Sequence, residues 1–122
     1  MSFPFPPSPL VCVPSAIPLT QRAEHLLLAK RLLKHEAIYT GCIDDGYEVR
    51  FPQTSFDSIS RFVANERKCC PALRFAIDVA PDDGGITLRL TGPEGAREFI
   101  AAELPLKISA GDAADRAKAC CG

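Results

Sequence analysis

Residues 37–51, AIYTGCIDDGYEVRF, read as two short strands folded back on one another. Tyr47, Val49 and Phe51 alternate with Glu48 and Arg50, so an extended chain puts three apolar side chains on one face and two charges on the other. Asp44-Asp45-Gly46 supplies the turn that joins this strand to Ala37–Cys42. The same grammar returns further on. Leu73, Phe75, Ile77 and Val79 point one way and Arg74 and Asp78 the other, Asp82-Asp83-Gly84-Gly85 turns the chain, and Ile86, Leu88 and Leu90 come back. Both aspartate pairs are turn residues on this reading.

Helices fill the spaces around the hairpins. A capping hydroxyl at Thr20 after Pro18 opens the first, with Ala23, Leu26, Leu27, Leu32 and Leu33 on a broad apolar face ending near Glu36. The second runs from about Ser55 to Lys68 or Cys69 and is stopped by Pro71, which disfavours helical geometry at Cys70. Gly92-Pro93-Glu94 opens the third, which turns Phe99, Ile100 and Leu104 inward. The order helix, hairpin, helix, hairpin, helix predicts an α+β domain with one antiparallel sheet and its helices on one face. We place that domain at residues 19–104, between a proline-rich arm (1–18) that lies extended with Phe3, Phe5, Leu10 and Val11 available for docking, and a mobile tail (105–122) with a short helical stretch at 112–119.

The chain of 122 residues carries 14 basic and 15 acidic side chains, so there is no positive field to hold a nucleic acid or an anionic membrane. Its apolar stretches fall far short of the ~20 residues that span a bilayer. Prolines 4, 6, 7, 9, 14 and 18 break up any signal-peptide core, which makes the cytoplasm the expected location. In a reducing compartment the six cysteines, at 12, 42, 69, 70, 120 and 121, are expected as thiols or ligands rather than structural disulfides.

On a helical wheel Ile59, Phe62 and Val63 share an arc with Glu66 and Cys70, with Cys69 at its edge. Glu66 is thus aimed at the core beside two thiols. It either bonds backbone groups or Arg74 as a packed side chain, or takes a proton from a thiol and supports a cation from behind the ligands. Arg67, Lys68 and Arg74 favour a thiolate at Cys69-Cys70 while the negative end of the helix dipole opposes it. Zinc is a weak match, because adjacent cysteines rarely bring both sulfurs to one tetrahedral ion. Soft thiophilic ions such as Hg(II), Cu(I) or As(III) suit clustered thiolates, with Cys12 or Cys42 as a third ligand, Cys12 preferred. Cys120-Cys121-Gly122 has no evident core to join, so these thiols suit a delivery arm. His25 and His35 do not share a helix face and read as surface residues. No phosphate loop or Ser-His-Asp constellation is present.

Gly46-Tyr47, Arg50-Phe51, Glu66-Arg67, Cys69-Cys70-Pro71, Phe75 and Leu90 through Gly95, with Cys12 ahead of the first helix, resemble a family of small, largely uncharacterised bacterial proteins marked by Glu-Arg-x-Cys-Cys-Pro. Segments of that family occur joined to MerR-type metal regulators, so the resemblance implies soft-metal handling. Ala72 stands where a bulky apolar residue is common in the family, which would open space beside the thiols. The terminal Cys120-Cys121-Gly122 is similar to the tail of mercuric reductase, and this implies capture on the tail followed by thiolate exchange inward. No flavin- or nicotinamide-binding sequence accompanies it.

These readings converge on a soft-metal or metalloid binding protein acting as buffer, carrier or sensor module. Cys69, Cys70 and Cys12 are its ligands, Cys120 and Cys121 its arm, and Glu66, Arg67 and Arg74 the residues behind the ligands. A second copy, or a regulator or metal-resistance protein, would be its macromolecular partner. Two rivals stand beside it: a thiol redox or organometal-cleaving enzyme in which Cys70 attacks, Cys69 resolves and Glu66 moves protons, and an interaction domain whose cysteines are inert.

Overall fold

The structure, a computed structural model, describes residues 9–82 and 84–107. Phe3, Phe5, Asp83, the stretch 112–119 and Cys120-Cys121 therefore lie outside the described residues. The elements are α1 (Leu19–Lys30), β1 (Tyr39–Ile43), β2 (Gly46–Phe51), α2 (Phe56–Cys69), β3 (Arg74–Val79), β4 (Ile86–Thr91) and α3 (Ala96–Glu103). All pairings are antiparallel and the strand order is β1-β2-β4-β3. This is the α+β architecture expected from the alternating patterns.

The two hairpins join through their second strands. Tyr47 pairs with Leu90, Val49 with Leu88 and Phe51 with Ile86, so the inward faces of β2 and β4 lie in register at the centre of the sheet. These six side chains are 0–1% exposed. Ile59 and Phe62 of α2, Leu32 and Leu33 at the end of the first helix, and Ile100 of α3 complete the core with them. The opposite face is charged: Glu48 lies 3.5 Å from Arg89 and 3.7 Å from Arg50, whose guanidinium stacks over Tyr39. Because β2 and β3 both run antiparallel to β4, they are parallel to each other, and α2 is the crossover between them. That crossover delivers Cys69 and Cys70 to one end of the sheet. Gly46 is required where β2 begins, since a Cβ there would strike the Leu90 carbonyl.

Several local expectations are corrected. Leu26 and Leu27 are each 70% exposed, and the buried face of α1 is instead His25, Leu28 and Ala29, continued by Leu32 and Leu33. Leucines at 26, 27 and 28 point almost all round one turn, so hydrophobicity alone gives that helix no direction. Thr20 does not cap α1; Pro18 holds that position, its fixed φ of −51° leading into the helix without a side-chain cap. Arg31–Glu36 continues α1 as a wider π-helical turn closed by Ala37 N–H donating to the Leu32 carbonyl. The third helix begins at Ala96, after Gly95 at φ 91°, rather than at the proline. Ile77 and Val79 lie on the inward side of β3 but are 36% and 56% exposed, because β3 is an edge strand. The arm is not simply extended either: it makes a 3₁₀ turn at Pro14–Ala16 and buries Ile17, while Leu106 is buried beyond α3.

Replacing Leu88 with alanine at the sheet centre should cost about 2–5 kcal/mol of stability by loss of transfer energy and creation of a cavity. Ile77→Ala at the edge should cost well under half as much. Urea unfolding of the two variants checks the difference.

Candidate metal centre

The site begins where α2 stops. Pro71 pushes Cys70 out of helical geometry to φ −119°, ψ 78°, while Cys69 is still the last helical residue. Cys70 N–H keeps its helical bond to the Glu66 carbonyl at 2.8 Å, and its own carbonyl accepts from Leu73 N–H at 3.1 Å, which turns the chain into β3. The change of backbone direction between two consecutive residues is what lets both thiols look into one space.

A helix end leaves its last carbonyls without intrahelical partners. The arm supplies one, because Val13 N–H donates to the Cys69 carbonyl at 2.7 Å. Arg22 of α1 holds the same arm from the other side, donating to the carbonyls of Ile17 at 2.9 Å and Ser15 at 3.3 Å. Cys12 is thereby set against Cys70, sulfur to sulfur at 3.3 Å. The Sγ atoms of Cys12, Cys69 and Cys70 all lie within 4.8 Å of one another, and all three are free thiols. Three ligand atoms of this type at this spacing can hold a metal ion. Cys42, the other candidate for a third ligand, is half-buried on β1 and does not belong to the cluster; it is disulfide-bonded, which corrects the expectation that every cysteine of the chain is a thiol or a ligand.

Glu66 is 4% exposed and points where the helical wheel puts it. Its partners are neither backbone groups nor Arg74. Oε2 lies 2.8 Å from His25 Nε2, and Oε1 accepts from the Cys70 thiol at 3.5 Å. Either sulfur can donate in the Cys12–Cys70 contact, so the two thiols, the Glu66 carboxyl and the His25 ring form one continuous run of polar contacts. His25, expected on the surface, is 4% exposed and stacked on Phe62 with ring centroids 5.7 Å apart; its Nδ1 is buried without a partner. The signal for it was available: His25, Leu28, Ala29 and Leu32 follow the i, i+3, i+4, i+7 spacing of a buried face. His35 is exposed, as are Arg67 and Arg74. The cluster is supported by Glu66 and, through it, His25. No family model, curated protein or solved structure matches the chain.

Burial dominates the acid–base state of the thiols. It pushes Cys12 up from about 9 to about 12, partly offset by the Cys70 bond that a Cys12 thiolate would accept and reinforced by the proximity of Cys69 and Glu103. Cys70 is pushed up further, by burial first, then by its bond with Cys12 and the Glu66 carboxylate. The carbonyl end of the α2 dipole acts in the same direction. Both are thiols at neutral pH, stable in place and poor nucleophiles.

The cluster is nonetheless reachable. Cys12 and Cys69 line a cavity of about 280 Å³ with His25, Glu66, Leu26 and Leu104, and Arg22 and Glu103 also border it. A larger recess of about 480 Å³ between the Asp44-Asp45 turn and the start of α3 has neither thiol nor histidine, so the chemistry belongs to the smaller space. The exposed Leu26 is one of its walls, which gives that side chain a role in the cavity rather than in the core.

Two outcomes test this arrangement. Val13→Pro removes the N–H that ties the arm to Cys69, and should make Cys12 alkylate many times faster with iodoacetamide, read by peptide mass spectrometry, while β-sheet circular dichroism is retained. The raised thiols also set a pH dependence: the folded protein keeps protons that the unfolded chain loses above about pH 9, so stability falls as pH rises from about 9 towards 12. The melting temperature of the reduced protein should drop more steeply over that window than that of Cys70→Ala.

Proposed function

We propose that the protein binds a soft metal ion or metalloid through Cys12, Cys69 and Cys70 and acts as a buffer, carrier or sensor module for it. The observation that carries this reading is the convergence of three free thiols from two separate parts of the chain, with Sγ atoms within 4.8 Å. Sulfur-only donors favour soft ions over the hard cations that seek oxygen. The resemblance of the Glu66–Pro71 segment to a family joined to metal regulators points the same way.

Cys120 and Cys121 are assigned the delivery role. The described chain runs to Lys107, just beyond Leu104 and Pro105 on the cavity wall. Thirteen further residues reach to Cys120, a contour of at most about 45 Å, so the terminal thiols are tethered within reach of the cluster and at high effective concentration there. Capture on that pair and exchange inward to the buried thiols requires no other protein.

Catalysis by a thiolate is less favoured. The nucleophile of that reading, Cys70, is held protonated by its surroundings, and its immediate sulfur neighbour is Cys12. An interaction domain with inert cysteines is opposed by the cavity, which gives solutes a path to Cys12 and Cys69.

Native mass spectrometry of the reduced chain with Hg(II), Cu(I), As(III) or Zn(II), in competition with glutathione, tests the assignment. We expect one soft ion retained per core site. Cys69→Ser with Cys70→Ser should abolish retention, and Cys120→Ser with Cys121→Ser should slow loading without loosening the final complex. Unchanged binding in the Cys69/Cys70 double variant would remove the core site from the assignment.

A further inference from the structure

The neighbours of the three thiols discriminate among soft ions by charge. Three thiolates carry three negative charges, so a divalent ion leaves their complex with one net negative charge, a monovalent ion with two, and a trivalent centre with none. Cys70 is fully buried and Cys69 nearly so, and a buried net charge is costly unless an opposite charge or hydrogen-bond donors meet it. Here the adjoining ionisable side chains are carboxylic: Glu66 Oε1 lies 3.5 Å from Cys70 Sγ, and Glu103 borders the cavity. The two basic side chains nearby are turned elsewhere. Arg22 donates to the Ile17 and Ser15 carbonyls, and His25 faces the other oxygen of Glu66. Among the described residues no cationic side chain hydrogen-bonds to a sulfur of the cluster.

Ligand number points the same way. The cluster offers three donors; of the two carboxylic side chains beside it, Glu66 has both oxygens engaged and Glu103 is solvent-exposed where it borders the cavity. A structural zinc ion wants four ligands in a tetrahedron. A trivalent metalloid wants three and fills its remaining direction with a lone pair. The way in is apolar, walled by Pro14, Ile17, Leu26, Ala29, Leu104 and Pro105, which suits an uncharged solute better than a hydrated ion.

We propose, resting on the three-thiol reading above, that the cargo this site selects is a trivalent metalloid in its neutral hydroxide form, As(OH)₃ or its antimony counterpart, held as a charge-neutral tris-thiolate. Three As–O bonds break and three As–S bonds form. Each thiol proton leaves on a hydroxide as water, arsenic stays trivalent, and no charge is buried. The cluster can therefore load without ionising its thiols in advance and without a counter-ion.

The test uses the reduced full-length chain carrying Cys120→Ser and Cys121→Ser, so that the core cluster is read apart from the tail. Arsenite, Hg(II), Cu(I) and Zn(II) are each offered against excess glutathione, with stoichiometry from native mass spectrometry and sulfur count from X-ray absorption at the bound element. The expected result is one arsenic per chain with three sulfur neighbours, the mass gain being one arsenic less three hydrogens. Zinc should be lost to glutathione, and Cys12→Ser should release arsenite at least about tenfold more readily. Loss of arsenite with retention of Hg(II) or Cu(I) would overturn the metalloid inference and leave the soft-ion reading standing. Arsenite held equally well by Cys12→Ser would overturn the three-sulfur complex, and loss of every ion would sink both readings.

Discussion

The bond from Val13 N–H to the Cys69 carbonyl is the constraint on which the site depends. It answers a need that every helix end has, since α2 cannot continue past Pro71 and its last carbonyls must find donors or water. By meeting that need with the arm, the fold converts a local requirement of helix termination into a long-range placement: Cys12 arrives 58 positions from Cys70 in sequence and 3.3 Å from it in space. Arg22 secures the same stretch through the Ile17 and Ser15 carbonyls, and Ile17 is buried beneath it. The arm is thus part of the domain's packing as well as the carrier of a ligand.

Glu66 and His25 are the polar groups this arrangement has to accommodate inside an apolar core. A buried carboxylate without partners is strongly destabilising, and removing one member of such a pair costs more than the pair itself contributes. Glu66 meets the requirement by accepting from Cys70 on one side and facing His25 on the other, while Phe62 fixes the imidazole plane. The unpartnered His25 Nδ1 is the one loose end of the chain of contacts. Packed this way, the Glu66–His25 pair orients Cys70.

The sheet was legible because its pattern is unambiguous. Strict alternation at 47–51 and 86–90, bounded by Asp/Gly turns, permits one register, and a slip by a single residue would bury Glu48, Arg50 and Arg89. Glu66 beside the thiols was legible for a similar reason: α2 has a clean apolar arc on which its angle can be counted. The first helix lacks that contrast, with leucine at 26, 27 and 28, so its pattern points to the wrong face and leaves His25 outside the core. The meeting of Cys12 with Cys70 was open to anticipation only as a choice between two thiols. Whether Cys12 or Cys42 arrives depends on where a proline-rich arm docks, and that is decided by a backbone bond that no side-chain pattern encodes.

An ion at this centre would be a passenger rather than a staple. Small metal-dependent folds are assembled by their ion, with ligands that have no arrangement in its absence. Here Tyr47, Val49, Phe51, Leu88, Ile59 and Phe62 form a continuous core whose burial owes nothing to sulfur ligation. The thiols are likewise placed by contacts of their own: the Cys69 carbonyl by Val13, the Cys70 sulfur by Cys12 and Glu66. A site organised before its ligand arrives spends little of the binding energy on ordering the chain. Release then leaves the protein folded and ready to load again, as a buffer or carrier requires. The same preorganisation limits a sensor, because a site that changes little on loading has to report occupancy through the arm, the element that brings Cys12 to the cluster from outside the sheet and its helices.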